Sequence, residues 1–190
     1  MGTHNRLLAI GSARFPRSYL EIVAIDPEAS PPARPRWFEL DTAAIRQAIA
    51  AGPRLVQWVA RSDAIDAGVA FLRASGHEPG AVVAAERLTP RGLLRWRITL
   101  RDDGRRMAGG AVPLLIEWDN AHPCEALPPS GVALERVELG GVSAPFAAQL
   151  GAAVASPRAG RPPGHLPAVV ALLATPRGRL ELASPWVATA

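Results

Sequence analysis

The first two apolar stretches of the chain lie close together. Residues 2–11 and 18–26 are rich in β-branched and aliphatic side chains, and residues 12–17 between them include Ser, Phe and Pro. Apolar runs of this length on either side of a turn-forming segment are typical of two antiparallel strands. The chain is therefore predicted to open with a β-hairpin.

The register of this hairpin decides which side chains share a face. If the loop closes so that Ile10 faces Phe15, counting back along both strands brings His4 opposite Glu21. Residues that lie opposite each other in an antiparallel pair project from the same face, and a slip of one residue would separate them. We therefore expect His4 and Glu21 to share one face.

The same reading along the rest of the chain predicts an alternation of strands and helices. Helices are predicted over 42–51, with Asp41 as the N-cap, over 64–75 and over 143–155. Strands are predicted over 55–61, 81–88, 93–100, 112–118, 132–139, 166–174 and 179–183. Proline-rich connectors are expected over 27–36 and 156–164, and tight turns at the two Thr-Pro-Arg-Gly sequences, 89–92 and 175–178.

Composition limits the class of protein. A chain of 190 residues, 48% of them hydrophobic, can bury a core of its own. All 21 basic residues are arginines, and they are scattered rather than clustered, so no nucleic-acid partner is expected. The single cysteine excludes a disulfide framework within one chain. No leader pattern or membrane-length apolar run is present, so a cytoplasmic protein with no membrane partner is expected.

The candidate chemistry starts with His4 and Glu21. An imidazole and a carboxylate on one face provide two of the three ligands of a common divalent-metal site, and Glu21 could also act as a general base. The alternative is an ordinary cross-strand pair on a solvated face. Arg6 shares the face of His4 and could bind a substrate carboxylate or phosphate, or it could pair with Glu21. Asn5, the residue before Arg6, is also a candidate substrate-binding residue.

Two further candidates lie downstream. Arg95 and Arg97 share one face of a predicted strand and either contribute to substrate binding, chiefly through Arg95, or form a solvated face opposite Trp96. His122 follows a strand end, where loops often carry functional residues, and is a candidate catalytic residue. A structural role for this histidine is the alternative.

The chain resembles a known family. The strand–helix–strand–strand–strand order over 55–118 is the module of the vicinal oxygen chelate superfamily, and the sequence is similar to its glyoxalase-like domain family. The resemblance rests on Gly2-Thr3-His4-Asn5-Arg6-Leu7-Leu8, Tyr19-Leu20-Glu21-Ile22-Val23-Ala24-Ile25-Asp26, Pro35-Arg36-Trp37-Phe38, Gly92-Leu93-Leu94-Arg95-Trp96-Arg97, Leu115-Ile116-Glu117-Trp118, His122-Pro123 and Thr175-Pro176-Arg177-Gly178.

The resemblance implies an α+β fold of paired βαβββ modules, with curved mixed or antiparallel sheets and helices packed outside. The expected organisation is a single glyoxalase-like domain over 1–190, with a partial first module over 1–54, a complete module over 55–120 and a final βαββ module over 121–190. Relatives carry a strand with Asp-His and a helix before the Gly-Thr-His-Asn strand, and here Met1 falls within that pattern. Either the start is placed too late, or the protein lacks that element. In the second case the third metal ligand is missing, and a bare sheet edge favours a homodimer.

Two functions follow from the resemblance. One is a lyase, isomerase or dioxygenase that uses a divalent ion (Zn, Ni, Fe or Mn), held weakly or not at all by His4 and Glu21, on a small oxygen-rich substrate. The other is a dimeric binding protein that sequesters a small molecule without metal or catalysis.

Overall fold

The computed structural model describes residues 2–119, 121–156 and 166–184, which form ten strands and three α-helices. The strands are β1 Thr3–Ala9, β2 Tyr19–Ile25, β3 Val59–Arg61, β4 Ala81–Thr89, β5 Gly92–Leu100, β6 Leu114–Trp118, β7 Ala133–Leu139, β8 Ala153–Val154, β9 Val169–Thr175 and β10 Gly178–Ala183. The helices are α1 Ala43–Ala50, α2 Ile65–Ala74 and α3 Ala144–Gln149. None of these helices has the length and apolar character that crossing a membrane requires.

The strands form three separate groups. β1 and β2 form the N-terminal hairpin, the order β3-β6-β5-β4 forms the central sheet, and the order β10-β9-β7-β8 forms the C-terminal sheet. In the central sheet, β3 pairs parallel with β6 and the other pairs are antiparallel. This arrangement confirms the predicted α+β class and the strand–helix–strand–strand–strand order.

Helix α2 covers one face of the central sheet. Ile65, Val69 and Leu72 recur at helical spacing and are buried, and each buried side chain of this kind contributes about 1.5–3 kcal/mol. Gly68 lets the helix approach β6 closely, because a Cβ on it would lie 2.7 Å from Cδ1 of Leu115. We call the covered side the α2 face and the other side of the central sheet the open face.

Two predicted helix boundaries are wrong. Thr42, rather than Asp41, is the N-cap of α1, since its side chain accepts a hydrogen bond from the Ile45 N–H, while Asp41 accepts one from the Arg36 N–H. Helix α3 ends near Gln149 instead of residue 155. Gly151 has φ +69, a left-handed conformation that ends helices, and a short strand follows.

Strand β3 is shorter than predicted because residues before it bond elsewhere. The N–H of Leu55 donates to Ala183 O, and the side chain of Gln57 donates to Val112 O. The two Thr-Pro-Arg-Gly turns are confirmed, and each threonine hydroxyl accepts from the arginine N–H and donates to the glycine carbonyl. Nearly all of the predicted connector over 156–164 lies outside the described residues.

The hairpin has a different register from the predicted one. His4 lies opposite Ala24, three residues beyond Glu21, and Glu21 lies opposite Leu7. The loop causes this shift. Ser12 and Phe15 form a closed turn of their own through two hydrogen bonds, and Arg17 then adopts φ +54, so the strands begin to pair only beyond it. The expectation that His4 and Glu21 share a face is therefore wrong.

Candidate functional site

The two faces of the hairpin have different surroundings. Asn5, Tyr19 and Glu21 lie on the face that looks towards the central sheet, which we call the inner face. His4 and Arg6 lie on the opposite, outer face and are exposed. Two of the predicted site residues, Asn5 and Glu21, are thus brought together, whereas His4 and Arg6 point away from them.

A chain of hydrogen bonds links the inner face to the central sheet. The Asn5 amide nitrogen donates to Oε1 of Glu21 at 2.5 Å, and Nη1 of Arg87 on β4 donates to the Asn5 amide oxygen at 3.4 Å. Asn5 therefore lies between a carboxylate and a guanidinium. Its orientation is fixed from both sides, because only its nitrogen can donate and only its oxygen can accept.

A row of aromatic rings lies beside this polar chain. Trp96 and Trp118 are opposite each other on the open face, with ring centroids 5.3 Å apart. The Trp118 ring meets His122 at 5.6 Å, and His122 meets Tyr19 of the hairpin at 5.9 Å. The row thus runs from the central sheet across the 122–125 loop to the inner face. Neighbouring rings in this row are tilted against one another by 45–70°, and an aromatic surface of this kind suits a ligand that carries a ring.

The hydroxyl of Tyr19 is available to a ligand. Burial raises the pKa of this phenol well above its usual range, and the nearby Glu21 and Cys124 raise it further, so the group stays neutral. Within the described part of the chain, the hydroxyl has no hydrogen-bond partner. Tyr19 was not predicted as a site residue, although its position two residues before Glu21 places both on one face in any register.

His122 has a structural role in this loop. Its Nδ1 accepts a hydrogen bond of 3.2 Å from the Cys124 N–H and so caps the 3-10 turn Pro123–Glu125. Burial lowers the pKa of His122, the Arg17 and Arg61 guanidiniums lower it further, and Glu125 opposes them. The ring is therefore neutral, with its proton on Nε2. The structural alternative accounts for these contacts, and the catalytic role stays a prediction.

We predict that His122→Asn flattens the dependence of stability on pH. Asparagine can still cap the turn, but it does not titrate. In the wild type, unfolded His122 binds a proton below about pH 6.5 while the folded residue resists it, so the free energy of unfolding falls as the pH decreases through that value. Urea unfolding at pH 7.5, 6.5 and 5.5 measures this slope. His4→Asn, at an exposed position, is the control, and parallel profiles for wild type and His122→Asn would refute the prediction.

Arg95 lies on the α2 face of the central sheet, opposite the face that carries Trp96. It shares the α2 face with Arg97, and the strand separates it from the side of Trp96. Arg95 pairs with Glu86 at 3.4 Å, and Arg97 pairs with Glu117 at 2.7 Å. These residues line a groove of about 420 Å³ on the α2 face, away from Asn5 and Glu21. The alternative of a charged, solvated face accounts for these ion pairs, and the substrate-binding role of Arg95 stays a prediction.

The expected metal ligands do not converge. His4 and Glu21 lie on opposite faces of the hairpin, so the two side chains cannot hold one ion between them. Across residues 2–119, 121–156 and 166–184, no group of three or more His, Cys, Asp or Glu side chains is placed to hold a metal. The donors described do not fit the ligand set that the resemblance implies.

The described residues form an α+β protein with one βαβββ unit and an N-terminal hairpin whose inner face carries Asn5, Tyr19 and Glu21. The glyoxalase-like domain family matches residues 1–155, and the chain belongs to this family of the vicinal oxygen chelate superfamily. No curated protein and no solved structure gives a significant match.

Proposed function

We propose that this glyoxalase-like protein binds a small hydroxylated molecule between the inner face of the hairpin and the open face of the central sheet. The observation that carries the proposal is the contact of Glu21 with Asn5 beside the aromatic row that ends at Tyr19. The carboxylate supplies acceptor positions, and the free Tyr19 hydroxyl supplies a donor.

The hydrogen-bonding capacity of Glu21 supports this function. Within the described residues, Asn5 is its only hydrogen-bond partner, and the carboxylate forms no ion pair there. An ionised carboxylate can accept several hydrogen bonds, so it retains capacity for a ligand hydroxyl. A hydrogen bond to a charged group contributes about 1.5–3 kcal/mol, which makes Glu21 the expected main polar contact.

Binding, rather than a metal-assisted reaction, is the function that the geometry favours. The metal-assisted lyase, isomerase or dioxygenase requires an imidazole and a carboxylate that converge, and the hairpin register places His4 and Glu21 on opposite faces. The binding function requires only groups that share the inner face. Asn5, Tyr19 and Glu21 satisfy that requirement.

Phenol, a planar ring with one hydroxyl, serves as the probe ligand. We predict that Glu21→Gln weakens phenol binding about tenfold or more, because the neutral amide is a poorer acceptor for the phenol hydroxyl. Titration followed by NMR, using the indole N–H signals of Trp96 and Trp118, gives the dissociation constant and locates the ligand. Anisole has the same ring without the hydroxyl donor, so it should bind weakly and be insensitive to the substitution.

Two variants control this experiment. Glu28→Gln removes a carboxylate in an exposed turn, and His4→Gln changes the outer face of the same hairpin. Both should leave phenol binding unchanged. The proposal fails if phenol shifts neither tryptophan signal, or if His4→Gln weakens binding as much as Glu21→Gln.

A further inference from the structure

Arg87 has no acidic partner among the residues that the structure describes. It lies on the open face of β4, opposite Leu94, and its side chain is exposed. Within the described residues, its only hydrogen bond is the long one to the Asn5 amide oxygen, and it forms no ion pair. Most of the five N–H donors of the guanidinium therefore remain available.

Arg17, Arg61 and Arg95 differ from Arg87 in this respect. Arg17 pairs with Glu125 at 3.6 Å, and Arg61, which shares the open face, pairs with Asp63 at 3.2 Å. Arg95, on the α2 face, pairs with Glu86. The uncompensated positive charge thus lies at the polar chain, at the end opposite Glu21.

Trp96 is the aromatic side chain beside this charge on the open face. Arg87 pairs with Leu94, so Trp96 is its diagonal neighbour on β5, within reach of a long side chain. The residue directly opposite Trp96 is Ala85, whose methyl group covers little of the indole ring. A planar ligand can therefore contact Trp96 while its polar substituent meets Arg87.

We infer that the ligand of this site carries a carboxylate at the Arg87 end and a hydroxyl at the Glu21 end, joined by a planar ring. The inference rests on the proposed function, since it names the class of molecule that the same site takes. Asn5 separates the two ends, donating towards Glu21 and accepting from Arg87. The site therefore has one pole for an anion and one for a hydrogen-bond donor.

The charge balance favours a carboxylate over a phosphate. A single guanidinium matches a monoanion and binds a carboxylate through two parallel hydrogen bonds. A phosphate dianion would bring a second negative charge close to Glu21, and the Arg17 and Arg61 guanidiniums are already paired with Glu125 and Asp63. Repulsion between like charges then disfavours the dianion.

The test compares 4-hydroxybenzoate with phenol, which has the same ring and hydroxyl without the carboxylate. We expect the wild-type protein to bind 4-hydroxybenzoate about tenfold to a hundredfold more tightly than phenol, followed by NMR on the tryptophan indole signals. Arg87→Gln should remove that advantage, so that the ratio of the two dissociation constants approaches one. The advantage should also shrink as the salt concentration rises, because exposed charges are screened.

Two arginine variants make the result specific. Arg177→Gln removes one positive charge in the exposed β9–β10 turn, and Arg95→Gln removes one from the α2 face of the sheet that carries Arg87. Both should retain the preference for 4-hydroxybenzoate. Loss of the preference in Arg95→Gln and not in Arg87→Gln would overturn the inference.

The outcomes separate this inference from the proposed function. If phenol binds in a Glu21-dependent manner but 4-hydroxybenzoate binds no better, the carboxylate is wrong and the hydroxyl-binding site stands. If phenylphosphate binds more tightly than 4-hydroxybenzoate through Arg87, the anion class is wrong. If none of these probes shifts the signals of Trp96 or Trp118, both the inference and the proposed function fail.

Discussion

Replacing Arg106 with methionine should lower the free energy of unfolding by about 3–5 kcal/mol. The side chain of Arg106 is only 1% exposed, and that of its partner Glu39 is 21% exposed. Two guanidinium nitrogens donate to Oε2 of Glu39, at 3.0 and 2.9 Å. Removing one member of a buried pair leaves the other charge without compensation, which costs far more than the loss of a surface contact.

The remaining donor of Arg106 connects two more segments. Nη1 donates to Val56 O at 3.1 Å and to Gly109 O at 3.0 Å. The residue thus fixes the segment before β3 and the turn before β6 to the loop that carries Glu39. Methionine can fill much of the same volume but donates no hydrogen bond, so all these acceptors lose their partner.

Urea unfolding followed by circular dichroism measures the effect, and Arg73→Met is the matched control. Arg73 pairs with Glu78 at 3.0 Å, but both side chains are more than half exposed, so its loss should cost far less than the loss of Arg106. The double variant Arg106→Met, Glu39→Met should recover part of the loss, since it removes both charges. Equal losses for Arg106→Met and Arg73→Met would contradict the prediction.

The regular part of the fold was accessible from the sequence. The helical spacing of Ile65, Val69 and Leu72 located α2, and all three residues are buried as that pattern implies. The two Thr-Pro-Arg-Gly sequences located two turns, because their residues form the turn by themselves. Where local chemistry and hydrophobic pattern agree, the element is correctly placed.

The hairpin register could not be read from the same pattern. Both faces of the hairpin carry apolar residues, with Leu7 and Val23 on the inner face and Leu8 and Ile22 on the outer one. An alternation of apolar and polar residues therefore gives no preference for one register. The register follows instead from the conformation of the 12–17 loop, in particular the positive φ of Arg17, which composition does not reveal.

The register of the N-terminal hairpin determines which of the two functions the geometry favours. Neighbouring residues on a strand project from opposite faces. The inner face therefore presents either Asn5 or the pair His4 and Arg6. With Asn5 inside, Glu21 receives an amide donor and the amide oxygen meets Arg87. These inner-face groups suit a ligand that carries its own polar groups better than they suit the metal ion that the sequence led us to expect. Arg87 was missed because its role depends on a contact between two distant elements.

The second large effect is expected at Gly80, in the connection between α2 and β4. Gly80 has φ +85, and a Cβ at this position would lie 2.2 Å from the carbonyl oxygen of Leu100. Leu100 pairs with Ala81 at the end of the β4–β5 ladder, so neither backbone can move without breaking that pairing. Gly80→Ala should therefore combine a disfavoured backbone conformation with a severe clash.

Gly76 separates these two causes. It has nearly the same backbone angle, φ +83, and lies at the end of the same helix, but nothing lies within 4 Å of a Cβ placed there. Gly76→Ala should cost only the left-handed conformation, about 1–2 kcal/mol. Gly80→Ala should cost about 2 kcal/mol or more beyond that, measured from the urea midpoints of the two variants. Equal midpoints would show that the chain relaxes around Gly80, and that the approach of this connection to β5 does not constrain the central sheet.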